Sequence, residues 1–488
     1  MSEEKFNIFS FQGKMRTLHL SWIAFFITFV VWFNAAPLLQ AIAASLGVST
    51  QEIVALVTVN VAIAVPARVI IGMLTDRYGP RIVFSCLLIV GAFPCFLFAM
   101  ADTLAQAALA RFFVGLIGAG FVIGIRLVSE WFPANELGTA EGVYGGWGNF
   151  GSAAAAFTLP AIALWFGGED GWRYAIGLTG LLSFIFGFVF YATVKDTPKG
   201  STYFKPKNLG AMEVTSKGDF FLLLLMKLPM YICMALLAWR LSPAGFALIN
   251  ETFAIIIYVA LLIVLAIDCN QVWRTNREIF TTPVPELHQY KFKQVAILNI
   301  LYFATFGSEL AVVSILPLFF AETFGLEPVY AGMIASSYAF MNLMSRPGGG
   351  WISDKCGRKV TLLVLTAGLA VGYYMMSMVN ESWSILAAVA VIMCCSFFVQ
   401  SGEGAVFATV PLIKRRLTGQ IAGMTGAYGN VGAVIYLLVL TYVDYSTFFM
   451  VISGTAVLGF VTLLFMEEPR GKIAEINEDG SVELIHVG

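Results

Sequence analysis

Charge is what this sequence has least of. Of 488 residues only 12% are Asp, Glu, Lys or Arg, about half the share of a soluble domain. Histidine occurs three times, at His19, His288 and His486. No H-E-x-x-H, no G-x-S-x-G elbow and no G-x-x-x-x-G-K-[ST] is present, so a membrane enzyme would lack its usual metal, nucleophile or phosphate-binding loop. The seven cysteines, Cys86, Cys95, Cys233, Cys269, Cys356, Cys394 and Cys395, lie mostly in apolar runs and never as C-x-x-C. They read as small hydrophobes, so neither a zinc site nor a disulfide framework is indicated and no cofactor is expected. Net charge is -1, from Lys+Arg 29 against Asp+Glu 30, which removes any electrostatic case for a nucleic-acid partner.

What fills the space is hydrocarbon. Hydrophobic residues make up 59% of the chain, 42 of them Phe, and the mean hydropathy is +0.82. A chain of this length with so little polar surface belongs in a bilayer. The amino terminus, MSEEKFNIFSFQGKMR, is polar, and the apolar run after it is too long for a signal-peptide core. The first hydrophobic segment is therefore read as a retained helix.

A hydrocarbon core about 30 Å thick needs roughly 20 apolar residues at helical rise. On that ruler the sequence predicts six spans at 20–45, 51–76, 81–101, 104–130, 138–166 and 173–194, and six more at 294–321, 328–353, 358–379, 383–411, 418–442 and 446–466. Two further apolar runs, 219–239 and 244–267, sit between polar stretches in the middle. The expected organisation is an all-α polytopic protein: a six-helix bundle over 1–194, a central insertion over 195–293, a second six-helix bundle over 294–466 and a tail over 467–488.

Basic residues set the orientation. One side collects Lys5, Lys14, Arg16, Arg77, Arg81, Lys195, Lys199, Lys205, Lys207, Lys217, Arg274, Arg277, Lys291, Lys293, Lys355, Arg358, Lys359, Lys414, Arg415, Arg416, Arg470 and Lys472; the other holds Arg173 and Arg240. Both termini are expected in the cytoplasm and the protein in the cytoplasmic membrane. Both flanks of the extra pair are basic, so it is a hairpin that crosses and returns, or one lying in the interface. Lys227, able to snorkel to the cytoplasmic side, and nearby Pro229 weaken the case that its first arm spans.

The two halves repeat each other, as in transporters built from related bundles. The second span ends ARVIIGMLTDRYGPR and the eighth SRPGGGWISDKCGRK; in each an Arg precedes a Gly by four positions and an Asp by eight. The fifth span carries GGWGNFGSA and the eleventh GAYGNVGAV. The G-x-x-x-D-R-x-G-x-R pattern and its echo resemble the signature of the major facilitator superfamily. The paired Gly-Asn segments, with one membrane Arg per half, resemble its nitrate/nitrite porter branch. That resemblance implies a two-bundle major facilitator fold, nitrate and nitrite as substrates, and alternating access.

An ionised residue at bilayer depth is costly and a functional candidate. Arg68 and Arg346 each lie eight residues inside the Asp that marks the helix end, or about 12 Å of rise, near the midplane. A guanidinium is planar, always charged and offers parallel donors, so one from each half would clamp a small planar anion. The competing reading is that each pairs with a buried carboxylate and holds helices together. Gly146 to Gly151 matches G-x-G-x-x-G formally, but it lies inside an apolar helix and not after a strand, which excludes a dinucleotide site. Its small residues let helices approach, and Asn149 and Asn430 supply an amide for interhelical bonds or for substrate oxygen. The resemblance further implies that Tyr302 and Phe306 on the seventh span and Phe121 on the fourth wall the anion, with core packing as the alternative. Asp76, Arg77, Asp354 and Lys355 are expected to gate the cytoplasmic side, with Gly79 and Gly357 turning the chain.

Coupling is left open at this level. Two fixed cations around an empty site repel, which favours nitrate for nitrite exchange. Glu309 and Glu403, in the seventh and tenth spans, could instead carry a proton and permit symport. Glu130 is expected to pair with Arg126 one turn away, and with no histidine inside a predicted span there is no histidine relay. A major facilitator exporter of another small solute is the rival reading. A sensor whose insertion meets a regulatory partner is another.

Overall fold

The computed structural model describes residues 6–49, 52, 56, 59–60, 63–167, 169–206, 210–245, 247–285, 289–476 and 482–486. Much of the predicted second span before residue 63, together with Lys5, Lys207 and His288, lies outside the described residues. The chain is almost entirely helical. The first half runs α1 (Gly13–Phe33), α2 (Leu39–Leu46), α3 (Ala64–Tyr78), α4 (Pro80–Ala99), α5 (Leu104–Val114), α6 (Gly120–Trp131), α7 (Ala134–Phe166) and α8 (Gly171–Thr193). The middle supplies α9 (Lys217–Leu241) and α10 (Glu251–Asn276). The second half runs α11 (Phe292–Ala304), α12 (Phe306–Phe324), α13 (Pro328–Phe340), α14 (Asn342–Cys356), α15 (Arg358–Ser377), α16 (Ile385–Thr409), α17 (Thr418–Leu440) and α18 (Tyr445–Leu463).

Twelve stretches among the described residues are long and apolar enough to cross a membrane, including both arms of the central hairpin. The two predicted spans missing from that set are those that carry Arg68 and Arg346. One is described only in part, and the other is interrupted at Met341 and loaded with Arg, Asp, Lys and Gly in its second half. Several predicted spans are not continuous α-helix among the described residues, the first breaking at the 3-10 segment Ala36–Leu38. The fourth passes through a 3-10 segment at Gly115–Ala119, the seventh breaks at Thr305 and the eighth at Met341. The 3-10 segment of the fourth span and the break before Phe306 fall beside the arginines, where free backbone groups can line a protected interior.

The repeat read from sequence is also a repeat in conformation. Gly79 and Gly357 turn their chains with nearly equal torsions, φ 89° and ψ 146° against φ 91° and ψ 153°, in the region open to glycine. Each following helix start is then capped by a carboxylate from beyond the last helix of its own half. Asp196 accepts from the Arg81 N–H at 2.7 Å, and Glu468 accepts from the Arg358 and Lys359 N–H groups at 2.6 and 2.7 Å. Burial pushes the Asp196 carboxyl up from its ordinary range, and the Arg81 contacts pull against it.

The central hairpin α9–α10 lies at the periphery, with α10 mostly exposed. Lys227 does not snorkel. Its Nζ meets both oxygens of Asp268 on α10 at 2.8 Å, and the Tyr231 hydroxyl donates to the same carboxylate at 3.1 Å. A cation within a hydrophobic hairpin is thus compensated by the facing arm. α1 begins at Gly13, seven residues before the predicted span, so His19 falls inside a helix. Trp22 donates to its Nδ1 at 3.0 Å and its Nε2 faces the Ser10 carbonyl at 3.1 Å, which fixes one neutral tautomer near the chain start. The tail is not purely irregular: Lys472–Ile476 and Val482–His486 form an antiparallel pair.

Candidate functional site

The halves meet along two pseudo-equivalent helix pairs, α3 with α17 and α7 with α14. Glycines permit the approach: a Cβ on Gly142 would come within 2.6 Å of the Arg346 carbonyl oxygen, and one on Gly423 within 2.5 Å of the Arg68 carbonyl oxygen. The arginines are delivered into this seam. Gly145 leaves room for the Arg346 side chain, where a Cβ would sit 3.2 Å from Cδ and Nε; Gly426 does the same for Arg68, at 3.2 Å from Cδ. Each half therefore contributes the guanidinium and the other half contributes the glycine beneath it. Asn149 and Asn430 stand one helical turn beyond those glycines.

Both guanidiniums are buried, and both flank the ring of Phe306, at 5.0 Å for Arg68 and 5.9 Å for Arg346. Their partners differ. Arg68 donates to the carbonyls of Gly426 at 2.6 Å and Gly118 at 3.4 Å and lies 5.7 Å from the Trp32 ring. The Gly118 carbonyl belongs to the 3-10 segment of the fourth span. Arg346 donates to the Tyr302 hydroxyl at 3.0 Å and meets Glu403 Oε2 at 2.6 Å. The carboxylate pairing weighed from sequence thus holds for Arg346, while Arg68 is held by carbonyls and rings. One terminal nitrogen of each, Nη2 of Arg68 and Nη1 of Arg346, donates to nothing among the described residues.

Three aromatic planes lie almost parallel around this pair. Tyr302 stacks on Phe306 with centroids 5.1 Å apart and planes 7° from parallel. Across the seam Phe121 faces Tyr302 at 6.4 Å and 3°. Phe407, which the sequence did not single out, closes the end edge-on against Phe121 at 4.6 Å and Tyr302 at 4.8 Å. Nothing but a tertiary neighbour distinguishes it from the other phenylalanines. The Asn430 side chain is fully buried, and among the described residues neither its oxygen nor its nitrogen, nor the buried oxygen of Asn149, has a partner. Orphaned buried amides are uncommon and call for an explanation.

Glu309 and Glu403 are brought to the same place. Asn342 donates to one Glu309 oxygen at 2.5 Å, and the other accepts from no donor among the described residues. Glu403 is close enough to both Glu309 and Arg346 to interact directly with each. Asn342 was not anticipated; it stands four residues before Arg346, one turn along the same face.

The end where α1 begins is shut by two capping contacts across the seam. Asp76 accepts from the N–H groups of Gly419 and Gln420 at 2.8 Å each, at the start of α17. Asp354 accepts from the N–H groups of Gly138 and Thr139 and from the Thr139 hydroxyl at 2.7–2.8 Å, at the start of α7. Each carboxylate also faces the positive end of a helix dipole. The cations attached to them are Arg126, 3.5 Å from Asp76, and Arg358, 2.7 Å from Asp354. Arg77 and Lys355 are exposed and stand outside this network. Arg126 pairs with Glu130 at 2.9 Å, as its spacing predicts, and also reaches the inserted loop, donating to the Phe204 carbonyl at 2.8 Å. Tyr203 in that loop donates to the Thr75 carbonyl at 2.7 Å. Burial pushes the Tyr203 hydroxyl well above its ordinary range, so it remains a donor.

Another buried arginine, Arg111, carries no signal in the sequence. It donates to Asn34 at 2.9 Å and to the Trp32 carbonyl at 3.0 Å and packs on Phe98, fastening α5 to α1 inside the first half.

Residues 21–273 and 298–485 match the Major Facilitator Superfamily. The chain is 47% identical to a protein of Picosynechococcus sp. named nitrate/nitrite transporter NrtP, covering 98% of this chain and 97% of that one. It is 43% identical to a protein of the same name from Nostoc punctiforme, with the same coverage. Among solved structures, a double-Trp mutant of XylE superposes with a TM-score of 0.66 at 13% identity, covering 94% of this chain and 97% of that one, a likeness of fold alone.

Proposed function

The chain belongs to the major facilitator superfamily, and from that premise we propose that it is a secondary transporter of nitrate and nitrite, working by alternating access around Arg68 and Arg346. The observation that carries the reading is the pair of unpartnered guanidinium nitrogens, one from each half, buried among parallel aromatic planes. A flat monovalent oxyanion satisfies such donors in the plane while ring faces cover it above and below. The names of the two cyanobacterial relatives agree with this choice of anion. The buried amide nitrogen of Asn430, which donates to nothing among the described residues, is available for one of its remaining oxygens. An exporter of bulky solutes would need a roomier cavity than the glycine-packed seam provides.

Symport with a proton is the preferred coupling. In the empty site the Glu403 carboxylate offsets Arg346. An arriving nitrate competes with it, and a proton on Glu403 removes the competition. Nitrate and a proton entering together leave the net charge of the site unchanged, so the empty and the loaded carrier can both close. Asp76 and Asp354 then act as the latches of the cytoplasmic side, released when the halves rock apart, and the basic end of the molecule faces the cytoplasm. Arg68, which forms no ion pair with a carboxylate among the described residues, favours exchange instead.

Uptake of labelled nitrate into proteoliposomes decides between them. An inward pH gradient that accelerates uptake without internal anion supports symport; uptake that needs internal nitrite and ignores pH refutes it. Absence of nitrate or nitrite movement under both conditions refutes the transport reading itself.

A further inference from the structure

One buried carboxyl in the seam is used neither by the anion site nor by the latches. Glu141 lies on α7, three residues beyond Gly138, whose N–H is held by Asp354, and four residues before Gly145, which lies against Arg346. It thus stands about 6 Å of helix rise from the anion site, between that site and the latch. The side chain is 2% exposed, and neither carboxyl oxygen accepts a hydrogen bond from any described donor.

The charged groups on the elements packed around it are engaged with one another. On α14, Arg346 is paired with Glu403 of α16 and Asp354 with Arg358. On α6, Arg126 is paired with Glu130, and on α1, Lys14 with Glu136. Arg415, in the segment between α16 and α17, is the cation whose charge acts on Glu141, and it also lies 3.6 Å from Glu130. On α7 itself, Tyr144 turns its hydroxyl to the Gly120 and Phe121 carbonyls instead. A carboxylate buried with no donor is costly, and the same group carrying a proton is far less so. Structural carboxyls in this seam are saturated, with Asp354 accepting three hydrogen bonds; Glu141 has none. When the halves rock apart at the latch, α7 separates from α14, and a carboxyl one turn above the latch becomes exposed to water and to Arg415.

We propose that Glu141 is a proton-carrying residue of the transport cycle, which holds the co-transported proton while the latch is shut and releases it to the cytoplasmic side as the latch opens. This rests on the nitrate/proton symport reading. It adds to Glu403 and Glu309, which meet the proton beside the anion, a second station on the inward half of the path. No bond other than O–H forms or breaks, and the proton leaves to water.

The test compares wild type and Glu141→Gln in proteoliposomes by two measurements: exchange of external labelled nitrate for internal nitrate without a gradient, and uptake driven by an inward pH gradient. One proton per nitrate supports about tenfold accumulation per pH unit. Glu141→Gln is expected to retain exchange within about twofold and to lose the gradient-driven accumulation. Accumulation at the wild-type level in Glu141→Gln overturns the proposal. Wild type that exchanges nitrate but ignores the gradient also overturns it, while wild type that moves no nitrate sinks the transport reading beneath it. Should Glu141→Gln fail to exchange, Glu141→Asp is compared with wild type for the pH at which driven uptake is half-maximal. A displaced profile supports a proton on this carboxyl, and an unchanged one overturns it.

Discussion

Replacing Glu403 by Gln removes the negative charge that sits 2.6 Å from Arg346 while keeping the side-chain shape. In the wild type an anion bound to Arg346 lies beside that carboxylate. At an effective dielectric of about 20, unit charges some 5 Å apart interact by about 3 kcal/mol, which is roughly a hundredfold in Kd. Nitrate affinity in the wild type should therefore strengthen as pH falls and Glu403 takes a proton, and by reciprocity nitrate should favour that proton. Glu403→Gln fixes the neutral state. Its nitrate Kd is expected to be low at all pH values and nearly flat with pH, approaching the wild-type value at acid pH. Equilibrium binding of labelled nitrate to detergent-solubilised protein across pH 5 to 9 reads this directly. A wild-type pH profile in Glu403→Gln, or weaker nitrate binding than wild type at alkaline pH, would refute competition between Glu403 and the anion. In transport, the same variant should keep exchange and lose stimulation by a pH gradient.

Arg346→Lys keeps the charge but loses the planar fork, so an affinity loss of about 1.5–3 kcal/mol, or ten- to a hundred-and-fifty-fold, is expected in nitrate binding; Arg68→Lys should cost a similar amount, and unchanged affinity in both refutes the clamp. Asp354→Asn weakens three charge-assisted bonds to the start of α7 and should shift the population toward the state open at the latch by about ten- to a hundredfold, measured as faster alkylation of a cysteine introduced at Val143. Gly142→Val drives a side chain into the Arg346 and Pro347 backbone and should abolish transport while the protein still inserts, which uptake and membrane fractionation separate. Lys227→Met leaves Asp268 unpaired within the hairpin and should lower the melting temperature in detergent more than the double change Lys227→Met with Asp268→Asn, because an isolated charge costs more than no charge.

Much of the site was legible because transporters built from repeats write each functional position twice. Arg68 and Arg346, Asp76 and Asp354, and Asn149 and Asn430 were found as pairs at matched spacing, and the structure brings both arginines against the same phenylalanine. Of the residues without a counterpart, Tyr302, Phe306 and Phe121 are picked out by the family resemblance and Glu309 and Glu403 by their charge, whereas others go unmarked. Phe407 carries no spacing signal, and Glu141 and Asn342 look like polar interruptions of an apolar helix until their neighbours are known. Arg126 was read only as the i,i+4 partner of Glu130, and its reach to Asp76 and to the inserted loop crosses from one helix to others.

The sequence by itself determined that this is a membrane protein of two related halves with a central hairpin, because hydrocarbon thickness and helical rise translate directly into run length and a repeat is visible without folding. It also placed Arg68 and Arg346 inside predicted spans, one in each half. What only the tertiary structure decided is what those charges face. Arg68 and Arg346 are equivalent along the chain, yet one is met by carbonyls and the other by a carboxylate. Asp76 and Asp354 are met by Arg126 and Arg358, not by the exposed basic residues that follow them in the chain. The physical reason is that depth follows from position within a helix, whereas partnership depends on rotation and on which face of another helix arrives. Periodicity does not encode that across residues hundreds of positions apart.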